Sequence, residues 1–125
     1  MSLYAIGDLH LHFHSTRKAP GQLTDPVWKR HEAKLRANCA VLVRPGDTLV
    51  LVGDHSWGRN LQECEQDLQY IADLPGRKVL LRGNHDMFWD ASKTAALNRR
   101  FEGRLLFLQN NYFPYRDIAL VGTKG

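Results

Sequence analysis

The chain reads as an α/β protein, and three observations carry that reading. Short apolar runs of strand length alternate with segments of helical period. Three of those runs, over residues 3–6, 48–52 and 78–82, each lead into a glycine-led turn holding acidic, amide or imidazole side chains. No repeat, low-complexity tract or interdomain linker interrupts the 125 residues, of which 43% are hydrophobic, enough for one domain with a core.

The first strand, Leu3-Tyr4-Ala5-Ile6, runs into Gly7-Asp8-Leu9-His10. In an extended segment a period of two turns Asp8 and His10 to one side and Leu9 to the core, so a carboxylate and an imidazole can share an ion. A polar loop is expected over 11–24. Asp25 is then placed to cap a helix with Pro26 at its first position, and Trp28, Leu35, Cys39 and Leu42 follow at helical spacing. Arg44-Pro45-Gly46-Asp47 reads as a turn.

The second strand ends in Gly53-Asp54. Asn60 is expected to cap the next helix, with Glu63 placed as in a capping box and Leu61, Cys64, Leu68 and Ile71 as the buried stripe, before Pro75-Gly76 stops it. The third strand ends in Gly83-Asn84-His85-Asp86, the most informative turn of the chain, since it sets an amide oxygen, an imidazole and a carboxylate side by side. Asp90 can cap a third helix running to Phe101, and Gly103 ends it. A fourth strand is expected over 105–108, then a hairpin of 112–115 with 118–121 around Arg116-Asp117.

In open α/β sheets, ligands gather beyond the carboxyl ends of the strands, where all three turns fall. Carboxylate, amide oxygen and imidazole suit manganese, iron or zinc, and neither cysteine is near these turns.

The order Asp-x-His, Gly-Asp, Gly-Asn-His-Asp, each after a strand, resembles the calcineurin-like metallophosphoesterases. The resemblance is closest to a bacterial branch of predicted phosphohydrolases with a Gly-Asp-x-Ser-Trp second motif, here Gly53-Asp54-His55-Ser56-Trp57. It implies two divalent metal ions: Asp8 and His10 on the first, Asp54 bridging both, Asn84 on the second. It gives His85 and Asp86 catalytic parts, His85 facing the phosphate and Asp86 fixing its tautomer from behind. The implied reaction is hydrolysis of phosphate mono- or diesters by a bridging hydroxide between cations about 4 Å apart. The family's downstream Gly-His and Gly-His-x-His motifs do not occur in the sequence. The expectation is therefore a partial metallophosphoesterase domain over 1–125, the N-terminal half of a helix-flanked β-sandwich in the order βαβαβαβ then a hairpin, lacking its C-terminal half.

Two alternatives stand beside this. One is a non-catalytic or degenerate scaffold of the same fold; the other is a nuclease or nucleotide phosphodiesterase. A net charge of +4 admits nucleotide or nucleic acid as partner, but Arg17-Lys18, Lys29-Arg30, Arg77-Lys78 and Arg99-Arg100 are scattered pairs, which favours a solvated surface. Cys39 and Cys64 read as reduced core residues. With no leader and no run long enough to span a bilayer, a cytoplasmic protein without membrane contact is expected. Oligomeric state has no handle in the sequence.

Among neighbours of the turns, His12 and His14 read as loop histidines, and His55 as either a partner of the bridging carboxylate or a neutral replacement. His31 is expected at a helix surface or boundary. Trp57, Phe88 and Trp89 are expected to pack under the site. Arg59 and Arg82 read as phosphate contacts or structural ion pairs.

Overall fold

The computed structural model describes residues 1–13 and 26–123. Four parallel strands, β1 (Leu3–Ile6), β2 (Thr48–Leu51), β3 (Arg77–Leu81) and β4 (Leu106–Leu108), lie in the order β1-β2-β3-β4. The register sets Ile6 beside Leu51, Leu51 beside Leu80 and Leu80 beside Phe107, so all the carboxyl ends meet at one edge. Helices α1 (His31–Leu42), α2 (Leu61–Ala72) and α3 (Thr94–Arg100) make the crossovers that parallel strands require. A hairpin, β5 (Asn111–Tyr115) with β6 (Ile118–Gly122), forms a separate two-stranded sheet.

Alternation along the strands divides the core in two. Leu49, Leu51, Leu80 and Phe107 pack with Cys64, Leu68 and Ile71 of α2 and with Leu97 of α3. Val79 and Leu108 point the other way and meet Phe113 of the hairpin. The chain therefore has the expected α/β order, with the hairpin opening a second layer.

Helix α2 forms where it was expected, because its cap and its stripe agree. The Asn60 Oδ1 accepts the Glu63 N–H at 3.0 Å, while the Glu63 carboxylate turns back to the Arg59 N–H at 2.9 Å and to its guanidinium. Cys64, Leu68 and Ile71 are buried and Leu61 is half-buried. Both cysteines are free and buried. Burial pushes the Cys64 thiol up to about 12 and also raises that of Cys39, which keeps both protonated.

The first helix departs from expectation. Asp25 lies outside the described residues, and Pro26 opens only a 3₁₀ turn, Pro26–Trp28. Arg30 then takes a left-handed conformation (φ 53°), which breaks the helical run, and α1 starts at His31 with no side-chain cap. Only Cys39 of α1 is buried, and Leu42 is left exposed, because the helix makes its apolar contacts with the core through Leu35 and Cys39. The third helix is likewise split. Asp90 caps a 3₁₀ turn, Ala91–Lys93, through the Ser92 N–H at 2.9 Å. The α-helix begins at Thr94, whose buried hydroxyl accepts the Trp89 indole N–H at 2.9 Å.

Candidate metal centre

The segments leaving β1 and β2 stay zipped together beyond the sheet. The N–H groups of Asp8, His10 and Leu11 donate to the carbonyls of Gly53, Asp54 and His55 at 2.9 to 3.0 Å, and the Trp57 N–H returns to Leu11 at 2.9 Å. Leu11 is consequently buried and bridged to Ser56 rather than part of a polar loop. Residues 14–24 of the expected loop, His14 among them, lie outside the described residues.

Asp8 and His10 do face one side with Leu9 buried beneath, but not on extended backbone. Asp8 (φ 58°), His10 (φ 48°) and Asp54 (φ 54°) all adopt left-handed dihedrals. Asp and His tolerate that region better than most residues, yet each such position costs about 1 kcal/mol. The cost is met by the ladder bonds just described, which hold the backbone in place. One ligand atom from each of these three residues lies within 4.8 Å of the others, and His10 Nε2 sits 3.5 Å from Asp8 Oδ1. Such a convergence of two carboxylates and an imidazole, hard and borderline donors, fits a divalent cation such as manganese, iron or zinc.

The third turn is pressed against the second. A Cβ on Gly53 would lie 2.9 Å from the Gly83 Cα, and one on Gly83 would lie 2.2 Å from the Asp54 amide nitrogen, so only glycine fits at either position. This approach lets Asp54 Oδ1 accept the His85 N–H at 2.9 Å. The exposed Asn84 amide faces the same carboxylate, 3.2 and 3.3 Å from its two oxygens. With nitrogen inward it donates to them; turned over, it would set its oxygen on the same side as the Asp54 carboxylate.

The expectation for Asp86 is corrected by its surroundings. Its fully buried carboxylate accepts the N–H groups of Gly83 and Asp54 on one oxygen, at 2.8 and 2.9 Å. The other oxygen accepts the N–H of His55 at 2.8 Å and of Ser56 at 3.4 Å. Both oxygens are thus taken by backbone, and Asp86 staples the two turns together instead of orienting the His85 ring.

His85 takes its setting from Trp57, whose ring centroid is 4.7 Å from that of His85 and 5.0 Å from that of His10. Trp28 meets His10 edge-on at 5.6 Å. Trp57, Phe88 and Trp89 are all buried, as expected, and Trp57 packs against both imidazoles of the site. His31, expected at a boundary, opens α1 half-buried, with its ring nitrogens on the carbonyls of Leu9 at 2.8 Å and Trp28 at 3.1 Å. His12 lies beside His31, ring centroids 6.0 Å apart, and is not among the three converging ligands. Arg59 pairs with Glu63, and Arg82 Nε donates to the Trp89 carbonyl, so both make structural contacts.

Asp67 went unnoticed in the sequence. Fully buried on α2, it accepts the Ser56 hydroxyl at 2.5 Å and the Phe13 N–H at 2.9 Å, joining the exits of the first two turns. Its position within the apolar stripe, one residue before Leu68, is the signal that could have found it.

A parallel α/β sheet whose carboxyl edge gathers Asp, His and Asn from three glycine-led turns defines a candidate metal-dependent hydrolase centre. The family model for calcineurin-like phosphoesterases matches residues 1–124, and the chain belongs to that family. Among solved structures it is similar to a protein of unknown function from Aquifex aeolicus, at 25% identity and a TM-score of 0.57. That match covers 95% of this chain and 58% of the Aquifex protein, so the chain spans little more than half of its relative's length. No curated protein matches the chain. No helix among the described residues is long and apolar enough to cross a membrane.

Proposed function

We propose that the chain acts in metal-dependent hydrolysis of phosphate mono- or diesters, with Asp8 and His10 on one cation, Asp54 shared between two, and Asn84 on the second. The observation that carries this reading is the convergence of Asp8, His10 and Asp54 within 4.8 Å at the carboxyl edge of the sheet. Divalent cations held there, manganese, iron or zinc, supply Lewis acidity and neutralise phosphate charge.

The chain's own residues do the rest. Asp54 is held from two sides, its side chain by the His85 N–H and its backbone by Asp86, so the central carboxylate is pre-set rather than collected on binding. His85, half-buried beside Trp57, presents an imidazole that can donate a proton to a leaving oxygen or stabilise charge on the phosphoryl group. Free, buried Cys39 and Cys64 favour a reducing compartment, which supports a cytoplasmic location.

A second reading, a scaffold of the same fold that holds one ion or none, is favoured by one observation. The converging group supplies three donors for a single ion, while the second ion has only Asp54 and Asn84 among the described residues. A nuclease or nucleotide phosphodiesterase activity would use the same centre.

The deciding experiment is elemental analysis of the manganese-loaded chain and its Asp54→Asn variant, followed by assays on p-nitrophenyl phosphate and bis-p-nitrophenyl phosphate. Phosphoesterase function requires bound manganese and ester hydrolysis, both lost in Asp54→Asn. Bound metal with no hydrolysis of either ester supports the scaffold, and no bound metal overturns the metal centre.

A further inference from the structure

We propose that His55 is a positioning residue of the metal centre, whose imidazole locks the end of β3 to the second turn and so sets the spacing between Asp54 and Asn84. This inference rests on the metal-centre reading above.

His55 directly follows Asp54 and is fully buried. Its Nε2 donates to the carbonyl of Leu81, the last residue of β3, at 2.7 Å. Three residues beyond Leu81 stands Asn84. The backbone N–H of His55 meanwhile donates to Asp86 in the third turn at 2.8 Å. One residue therefore grips both the strand that feeds the third turn and the turn itself, while its neighbour carries the shared carboxylate. The glycine contact between Gly53 and Gly83 allows close approach but has no side chain to resist sliding. The directional bond from His55 to Leu81 adds that resistance.

The other ring nitrogen shows why an imidazole is informative here. With Nε2 turned to the Leu81 carbonyl, Nδ1 is buried without a hydrogen-bond partner among the described residues. An unpaired buried nitrogen lowers stability, and an apolar side chain of similar size would avoid that loss. Packing alone therefore does not account for histidine at this position. What an apolar residue could not supply is the Nε2 donor.

The test compares the unsubstituted chain with His55→Leu, which removes the donor at similar volume, and His55→Gln, which restores an N–H at similar reach. Manganese affinity is read from the electron paramagnetic resonance signal of the free ion, and thermal melts are recorded on the metal-free proteins. The expected result is manganese binding weakened by about 10- to 100-fold in His55→Leu. His55→Gln recovers most of the loss. Equal affinity in His55→Leu and the unsubstituted chain overturns the inference, whatever the melting temperatures, because only a structural role would remain. A His55→Gln variant as weak as His55→Leu overturns it too. Should His55→Leu fail to fold, His55→Asn takes its place: its shorter amide should bind weakly where Gln binds well, and equal affinities in the two overturn the inference. An unsubstituted chain that binds no manganese overturns the metal-centre reading itself, a failure distinct from the others.

Discussion

The carboxylate of Asp86 accepts the backbone N–H of Asp54 at 2.9 Å, across a sequence separation of 32 residues. A buried carboxylate is thus held chiefly among backbone N–H dipoles, with the His55 Nε2 3.8 Å from one of its oxygens. Hydrogen bonds to an ionised acceptor are about twice as strong as neutral ones, which is how such a group is kept inside. Asp86 thereby fixes the backbone of Asp54.

Asp86→Asn should therefore damage the fold and the site together. One amide nitrogen would replace an oxygen that now accepts two backbone N–H groups, leaving donors facing a donor. A loss of about 3 kcal/mol is expected by urea denaturation, along with manganese affinity lowered by about tenfold or more in titration.

His85→Gln separates chemistry from binding. The backbone N–H that supports Asp54 survives the change, while the imidazole beside Trp57 is lost. Turnover of a phosphate ester is expected to fall about 100-fold or more, with manganese content by elemental analysis unchanged. A parallel loss of metal would place His85 among the ligands.

The left-handed conformation of Asp8 makes a prediction about the metal-free protein. Its side chain is 72% exposed, so a substitution there removes little packing. Asp8→Gly should leave metal-free stability unchanged or raise it slightly, whereas Asp8→Val should lower it by about 1 to 2 kcal/mol, because a β-branched residue fits poorly at φ 58°. Paired thermal melts measure the difference, and both variants should bind manganese poorly.

Asp47 gives the fold a dependence on pH. The Arg44 N–H at 2.9 Å and the Ser2 N–H at 2.7 Å hold its carboxyl below the usual carboxylate range, and this joins the start of β1 to the turn before β2. A depressed carboxylate pKa means that the unfolded state binds the extra proton first. The contribution is therefore complete above the unfolded value of about 4 and is lost as the pH falls through the folded one. Asp47→Asn should be less stable than the unsubstituted chain at pH 6, and the gap should close below about pH 4 in urea melts.

The strands, the hairpin and α2 were legible because their signals are local. Asn60 and Glu63 are three residues apart, and Cys64, Leu68 and Ile71 share one helical face whatever lies opposite. The positions of Asp8, His10, Asp54 and Asn84 at the carboxyl edge were equally legible, since a glycine-led turn after a parallel strand has only one edge to occupy. The start of α1 was not, because the left-handed Arg30 overrides the local promise of Asp25-Pro26.

What the sequence determined by itself was the order of elements and the chemistry at each turn, both written in spacings of a few residues. The tertiary structure alone decided how those turns are held: the left-handed backbone of Asp8, His10 and Asp54, the packing of Trp57 against two imidazoles, and the turning of Asp86 away from His85 toward backbone amides. The reason is physical. A hydrogen bond or ring contact between turns some 30 to 50 residues apart depends on strand register and on how closely Gly53 approaches Gly83, and a buried donor or acceptor takes whichever partner that approach brings within reach.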